Sequence, residues 1–265
     1  MPRDLGDVIH YFIPEAADPA TAGDVAAPPS PPSPERAVAA TVIGLPHEPG
    51  DVLRAAFAWN LAVELARRGA PVALVVPPEE DAPSLWPEAG RGPLGAELVV
   101  AEGSGGSALA AAARAHAQTL GAGDPPAIVL AGVPSEALAP TAAAPGAPQR
   151  WLLFSSPDAA DLRAARERAH AIAAVQPAAR IGLTIHAVAR ITDAEAAFDR
   201  FVDQTQPALD APITSYGMLV DDLHVYRAIV ARRPIGLAHP QAPAARALGD
   251  VARLLLEDAA GDRTQ

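Results

Sequence analysis

The residues with chemical potential in this sequence gather in a few short loops, and two absences narrow what they can do. His47, Glu48, Asp51 and Arg54 fall within Pro46-His47-Glu48-Pro49-Gly50-Asp51-Val52-Leu53-Arg54, where a glycine turn precedes a helical pattern. A cation beside a turn that opens a helix is the arrangement that holds phosphate, through backbone amides and a positive side chain. His47 and Glu48 are also an acid–base couple by type, although neighbours in a proline-bracketed loop tend to point apart. Glu79-Glu80-Asp81 is an acidic run that suits either a catalytic carboxylate or plain solvation. Gly103-Ser104-Gly105-Gly106-Ser107 presents either amides to an anion or a flexible connection in which Ser107 caps the helix over 108–120. All 20 basic residues are arginine, and there is no cysteine. A lysine Schiff base, an ordinary phosphate-loop lysine, a catalytic thiol, disulfides and thiolate metal sites are therefore excluded. The seven histidines, His10, His47, His116, His170, His186, His224 and His239, share no helix face at ligand spacing, so no metal site is expected.

These loops need a scaffold, and the hydrophobic pattern describes one. Strands are expected at 38–44, 72–76, 98–101, 128–131, 151–155, 181–186, 215–219 and 235–237. Helices are expected at 52–68, 107–120, 159–175, 194–204, 224–231 and 242–257. Nearly continuous apolar strands separated by helices specify a mostly parallel sheet of seven or eight strands, with helices on both faces. Right-handed crossovers then bring the loops after the strands to one edge. The folded domain is expected over 36–258, followed by a polar tail, 259–265.

Ahead of it, residues 15–35 form a Pro/Ala-rich linker, and residues 1–14 carry Leu5, Val8, Ile9, Phe12 and Ile13 at helical spacing. That stripe suits capture by a partner protein, or docking on the protein's own surface. The net charge of −11 argues against nucleic acid and anionic membranes as partners. No apolar run reaches membrane-spanning length, acidic residues flank Leu254-Leu255-Leu256, and no signal pattern opens the chain. A cytoplasmic protein without a membrane anchor is expected.

The first strand–loop–helix unit, 39–54, with its helix carrying Asn60-Leu61-Ala62 and ending Arg67-Arg68-Gly69, resembles the opening of the MinD/ParA class of P-loop ATPases. Gly103–Ser107 is similar to a loop of the flagellar-number regulators of that class (FlhG-like). Trp151–Pro157, Ile181–His186 and the stretch from Arg232 to Ala247 resemble later family segments in the same order. The resemblance implies a P-loop NTPase fold over roughly 36–257, with face-to-face dimers formed across two nucleotides. It also implies that the family motif Lys-Gly-Gly-x-Gly-Lys-Thr-Thr falls on Pro49, Gly50, Asp51, Val52, Leu53, Arg54, Ala55 and Ala56.

At those positions the chemistry has changed. Pro49 replaces the lysine that reaches across the dimer, Asp51 and Leu53 replace glycines, and Arg54 replaces the phosphate lysine. Ala55 has no hydroxyl for magnesium. The paired aspartates after the second strand fall on Val76 and Pro78, the switch II aspartate on Gly132, and the adenine-reading asparagine on His186. Arginine for lysine fits a coding bias; Leu53, Ala55, Val76, Pro78 and Gly132 do not. The expectation is a pseudo-ATPase with no cofactor and no catalytic residue, acting as a protein-binding module in bacterial spatial organisation or motility control. A competent paralogue of the class is one expected partner, and any dimer is nucleotide-independent. The alternative is nucleotide binding or weak ATPase activity through Arg54 and the acidic run 79–81.

Overall fold

The computed structural model describes residues 40–48, 50–78, 86–121 and 123–262. The apolar segment 1–14, the linker 15–35, Pro49 and Glu79-Glu80-Asp81 lie outside the described residues. The strands are β1 Thr41–His47, β2 Val72–Val76, β3 Gly90–Arg91, β4 Glu97–Val100, β5 Ile128–Pro134, β6 Arg150–Ser155, β7 Arg180–Val188 and β8 Thr214–Val220. They form one eight-stranded sheet in the order β3-β4-β2-β5-β1-β6-β7-β8, parallel throughout except for the β3 edge. Helices α1 Val52–Arg67, α2 Gly106–Leu120, α3 Leu138–Ala143, α4 Ala159–Val175, α5 Ile191–Thr205, α6 Leu223–Val230, α7 Ile235–Ala238 and α8 Pro243–Gly261 complete the fold.

Burial on both faces explains the unbroken hydrophobicity of the central strands: every residue of β2, β5 and β6 is buried. Helices α2 to α5 pack in succession on one side, while α1, α7 and α8 pack together on the other. Aromatic residues are few, so the large ones need room made for them. A Cβ at Gly44 would lie 2.2 Å from the Trp151 ring, and one at Gly182 would lie 2.3 Å from the Tyr216 ring. Both rings are fully buried.

Three expectations are corrected. Residues 235–237 are not a strand: Pro234 precedes a helical turn, and the Ile235 amide donates to Asn60 Oδ1 at 2.6 Å. An apolar run this short does not distinguish strand from helix. The eighth strand is instead the two-residue β3, which has no hydrophobic signature. Ser107 is not the cap of α2, because the helix begins at Gly106 with Gly105 as its cap. A Cβ at Gly106 would sit 2.4 Å from the Thr141 amide, so the glycine serves close packing on α3. Finally, α8 continues to Gly261, beyond the expected helix end at 257. It does so because Asp258 and Asp262 both reach Arg150, at 3.0 and 2.8 Å.

Among the described residues no helix is long and apolar enough to cross a membrane.

Candidate functional site

The parallel strands deliver the expected site residues to one edge of the sheet. Gly50 to Ala55 lie in the β1–α1 loop and the first turn of α1. Val76 ends β2, Pro78 follows it, Gly132 lies near the end of β5, and His186 lies toward the end of β7. The topology therefore brings these positions together, apart from Pro49, which is outside the described residues.

The loop is short, and four of the amides at the start of the helix are used. Gly50 adopts a φ of 77°, a left-handed turn that favours glycine. The Asp51 amide donates to the Glu48 carbonyl (3.1 Å), and the Val52 amide to the Gly50 carbonyl (2.9 Å). The Ala55 amide donates to the Asp51 carbonyl (3.0 Å). Asp51 is the N-cap of α1, its Oδ1 accepting from the Arg54 amide at 3.0 Å. A carboxylate of the protein itself thus stands where an anion would meet the helix dipole. Val52 is exposed, Leu53 is half-buried, and Ala55 is fully buried in the core.

Arg54 is held from three directions. Its Nη1 pairs with Asp51 and its Nη2 with Asp161, which lies in the first turn of α4. Its Nε donates to the Phe154 carbonyl at 3.0 Å. Burial alone would lower its pKa, but the hydrogen bonds and charges of Asp51 and Asp161 outweigh that and raise it. Asp161 Oδ2 also accepts from the Ser156 amide at 2.6 Å. Burial would raise the Asp161 pKa; the Ser156 amide and Arg54 bring it below the usual range instead. His186 sits beside this triad, its Nε2 3.7 Å from Asp161 Oδ2. Burial, reinforced by the Arg54 charge, lowers its pKa to about 4, so it is neutral at pH 7. Two carboxylates, one guanidinium and a neutral imidazole leave the cluster with one net negative charge.

Space is limited at His186. Around His186, the Phe57 ring packs at a centroid distance of 5.4 Å from both His186 and Phe154. The cavity remaining among Leu53, Phe57, His186 and Tyr226 is about 10 Å³, room for about one water. On the other flank, Trp86 stacks edge-on against His47 at 5.7 Å. Its ring approaches within 3.5 Å of where a Gly132 Cβ would lie, beside Val76. A side chain at Gly132 would start in van der Waals contact with this ring.

The acid–base couple 47–48 separates as its position suggested. His47 turns to Trp86, and burial lowers its pKa. Glu48 turns to Arg168 Nη2 (2.5 Å) and accepts from Ser135 Oγ (2.8 Å), while Arg168 Nε donates to Ser135 Oγ at 3.2 Å. Burial opposes ionisation of Glu48, but Arg168 and Ser135 hold its pKa below the usual range.

Asp161, Arg168, Ser135 and Trp86 were not anticipated as part of this edge. The one sequence signal lay in Ser155-Ser156-Pro157-Asp158, a capping pattern that starts α4 and aims its first turn at the α1 loop. Among the described residues no three His, Cys, Asp or Glu side chains could hold a metal ion together.

No protein-family model matches the sequence, and a search of curated proteins finds no match. Solved structures do match. The MinD cell division protein of Aquifex aeolicus aligns with a TM-score of 0.60 at 15% identity, over 82% of this chain and 97% of that one. The fold is that of MinD and ParA. The MinC:MinD complex of the same organism gives 0.59 at 16% identity, over 82% and 96%. MinD of Pyrococcus horikoshii complexed with Mg-ADP gives 0.56 at 14%, over 81% and 95%. A ParA family ATPase from Chlorobium tepidum gives 0.53 at 12%, over 81% and 98%. At these identities the likeness establishes the MinD/ParA-like fold and not the activity.

Proposed function

We propose that this protein is a non-catalytic binding module on a MinD/ParA-like fold, acting on partner proteins in the bacterial cytoplasm without a nucleotide cycle. The observation that carries this reading is the Asp51–Arg54–Asp161 triad. The one cation at the phosphate-lysine position is neutralised by two internal carboxylates, and the amides of Asp51, Val52, Arg54 and Ala55 already have acceptors. A nucleotide polyphosphate would have to displace Asp51 from its helix and approach a cluster that is net negative. Ala55 offers no oxygen to magnesium, and the space at His186 is far smaller than the roughly 300 Å³ typical of ligand pockets.

What remains functional on such a fold is its surface. That a MinD of this fold was solved with MinC supports a protein partner here. The apolar stripe Leu5, Val8, Ile9, Phe12 and Ile13 is the recruiting element in this reading, and a nucleotide-competent paralogue is the class of partner. Pro49 in place of the cross-dimer lysine makes any such pairing independent of nucleotide. The sequence resemblance to FlhG-like and MinD proteins suggests spatial organisation or motility control as the process.

The test is thermal unfolding with Mg-ATP or Mg-ADP at about 2 mM. The expected shift is zero. A ligand present at 100 times its Kd would add about 2.7 kcal/mol, or roughly 5–11 °C for a domain of this size. A shift of that size, abolished by Arg54→Ala with the protein still folded, would overturn the proposal. It would favour nucleotide binding through Arg54, with hydrolysis lost in Glu80→Ala as the sign of an ATPase using residues 79–81.

A further inference from the structure

Beside the α1 loop lies an apolar groove of about 320 Å³, between the first turns of α1, the Trp86–Pro87 segment and the end of α6. Val52, Ala55, Trp59, Trp86, Ile229 and Val230 supply its apolar lining. It continues onto an exposed stripe along α6, where Leu223, Tyr226 and Val230 are 60%, 47% and 86% exposed at i, i+3 and i+7, next to Val52 at 47%. Isolated apolar side chains on a surface need no explanation, but a stripe at helical spacing that runs into a groove has the form of a helix-docking site. Arg232 and Arg233 complete the lining, and neither forms an ion pair among the described residues.

We infer that residues 1–14 of the same chain occupy this groove. Leu5, Val8, Ile9 and Phe12 repeat at the i, i+3, i+4, i+7 spacing that such a groove receives. Asp4 and Asp7 flank that stripe, with Glu15 just beyond and Arg3 ahead of it, a net side-chain charge of −2 to set against Arg232 and Arg233. Reach is sufficient. The described chain begins at Ala40, at the foot of β1, and the groove lies beyond the head of that seven-residue strand, about 23 Å away at ~3.3 Å per residue. Residues 15–39 would span about 75 Å in extended proline-rich form, and about 28 Å as a random coil. A tether of that length sets a local concentration near the millimolar range, so even a weak helix–groove contact is occupied. This inference stands apart from the loss of the nucleotide cycle, and its test contains no nucleotide. Where a partner protein also needs the stripe, it must first draw the segment out of the groove.

The chain has no cysteine, so a cysteine pair reads out the contact in the full-length protein. Phe12→Cys is combined with Val230→Cys in the groove, or with Val175→Cys, an exposed control at the end of α4. Under mild oxidation the groove pair should close an intramolecular disulfide about tenfold faster than the control or more. Equal rates, no disulfide, or a disulfide only between chains would each overturn the assignment, the last placing a second copy in the groove. Trp59 and Trp86 line the groove, so the full-length chain carrying Ile9→Asp and Phe12→Asp should also show red-shifted tryptophan emission and stronger acrylamide quenching. Unchanged emission and quenching would overturn it independently.

Discussion

If Arg54 is a structural cation and not a phosphate ligand, replacing it must cost stability. In Arg54→Ala, Asp51 and Asp161 lose their shared countercharge, and the Phe154 carbonyl loses its donor. The three side chains are 11%, 14% and 22% exposed, so solvent screens the loss only partly. Breaking one side of a buried pair costs about 3–5 kcal/mol. The lower end applies, because Asp51 keeps the backbone amide of residue 54 and Asp161 keeps the Ser156 amide. A loss of about 3 kcal/mol lowers the Tm of a domain this size by roughly 6–12 °C. Calorimetry on the wild type, Arg54→Ala, Asp161→Ala and the double variant measures this and closes a double-mutant cycle. The coupling between the two sites should be about 1–3 kcal/mol. A cation waiting for a ligand predicts the opposite: removing an unpaired arginine from an empty site costs less than about 0.5 kcal/mol. A Tm change within about 1 °C, or additive single variants, would refute the structural assignment.

Three further outcomes follow from the same geometry. His186 is held near pKa 4 in the fold against about 6.5 unfolded, so between these values the unfolded chain binds the proton and the fold does not. Stability therefore falls as pH drops through that window, by about 2 kcal/mol at pH 5 and about 3 kcal/mol at full protonation. Denaturant unfolding at pH 7.5 and pH 5 should show that loss shrink by about 2 kcal/mol in His186→Gln, and an equal loss in both proteins would sink the argument. Gly44→Ala places a methyl group within 2.2 Å of the present Trp151 ring position, so it should cost about 1–3 kcal/mol or more in urea unfolding. Ala55→Thr restores the hydroxyl type expected by the family motif, but at a fully buried position. It should destabilise by about 1–3 kcal/mol without creating a Mg-ADP-dependent Tm shift.

The strands β2 and β6 and the helices α1 and α4 were legible because burial on both sheet faces writes an unbroken apolar run into the sequence, and burial on one helix face writes a period. Position 235 shows where that logic stops. Ile235-Gly236-Leu237 has strand composition, yet Asn60, far away in the chain, takes the Ile235 amide and fixes a helical turn. β1 was expected to end at Gly44. Instead it pairs with β5 through His47, which shortens the following loop and places Glu48 within reach of Arg168.

The candidate site divides along the same line. What the loop residues are could be read directly: Asp51, Arg54 and Ala55 carry their chemistry in their identities. What they do to one another could not, since Arg54 meets Asp161 at a separation of 107 residues and Glu48 meets Arg168 at 120. No local pattern encodes such contacts; they exist because a parallel sheet stacks the loop after β1 beside the start of α4. This explains why one substitution reads differently before and after folding. In the sequence, Asp51 only adds a negative charge to an anion-binding motif. In the fold it caps the helix that would have bound the anion and neutralises the arginine that would have attracted it, so one carboxylate competes with a ligand for both sets of donors.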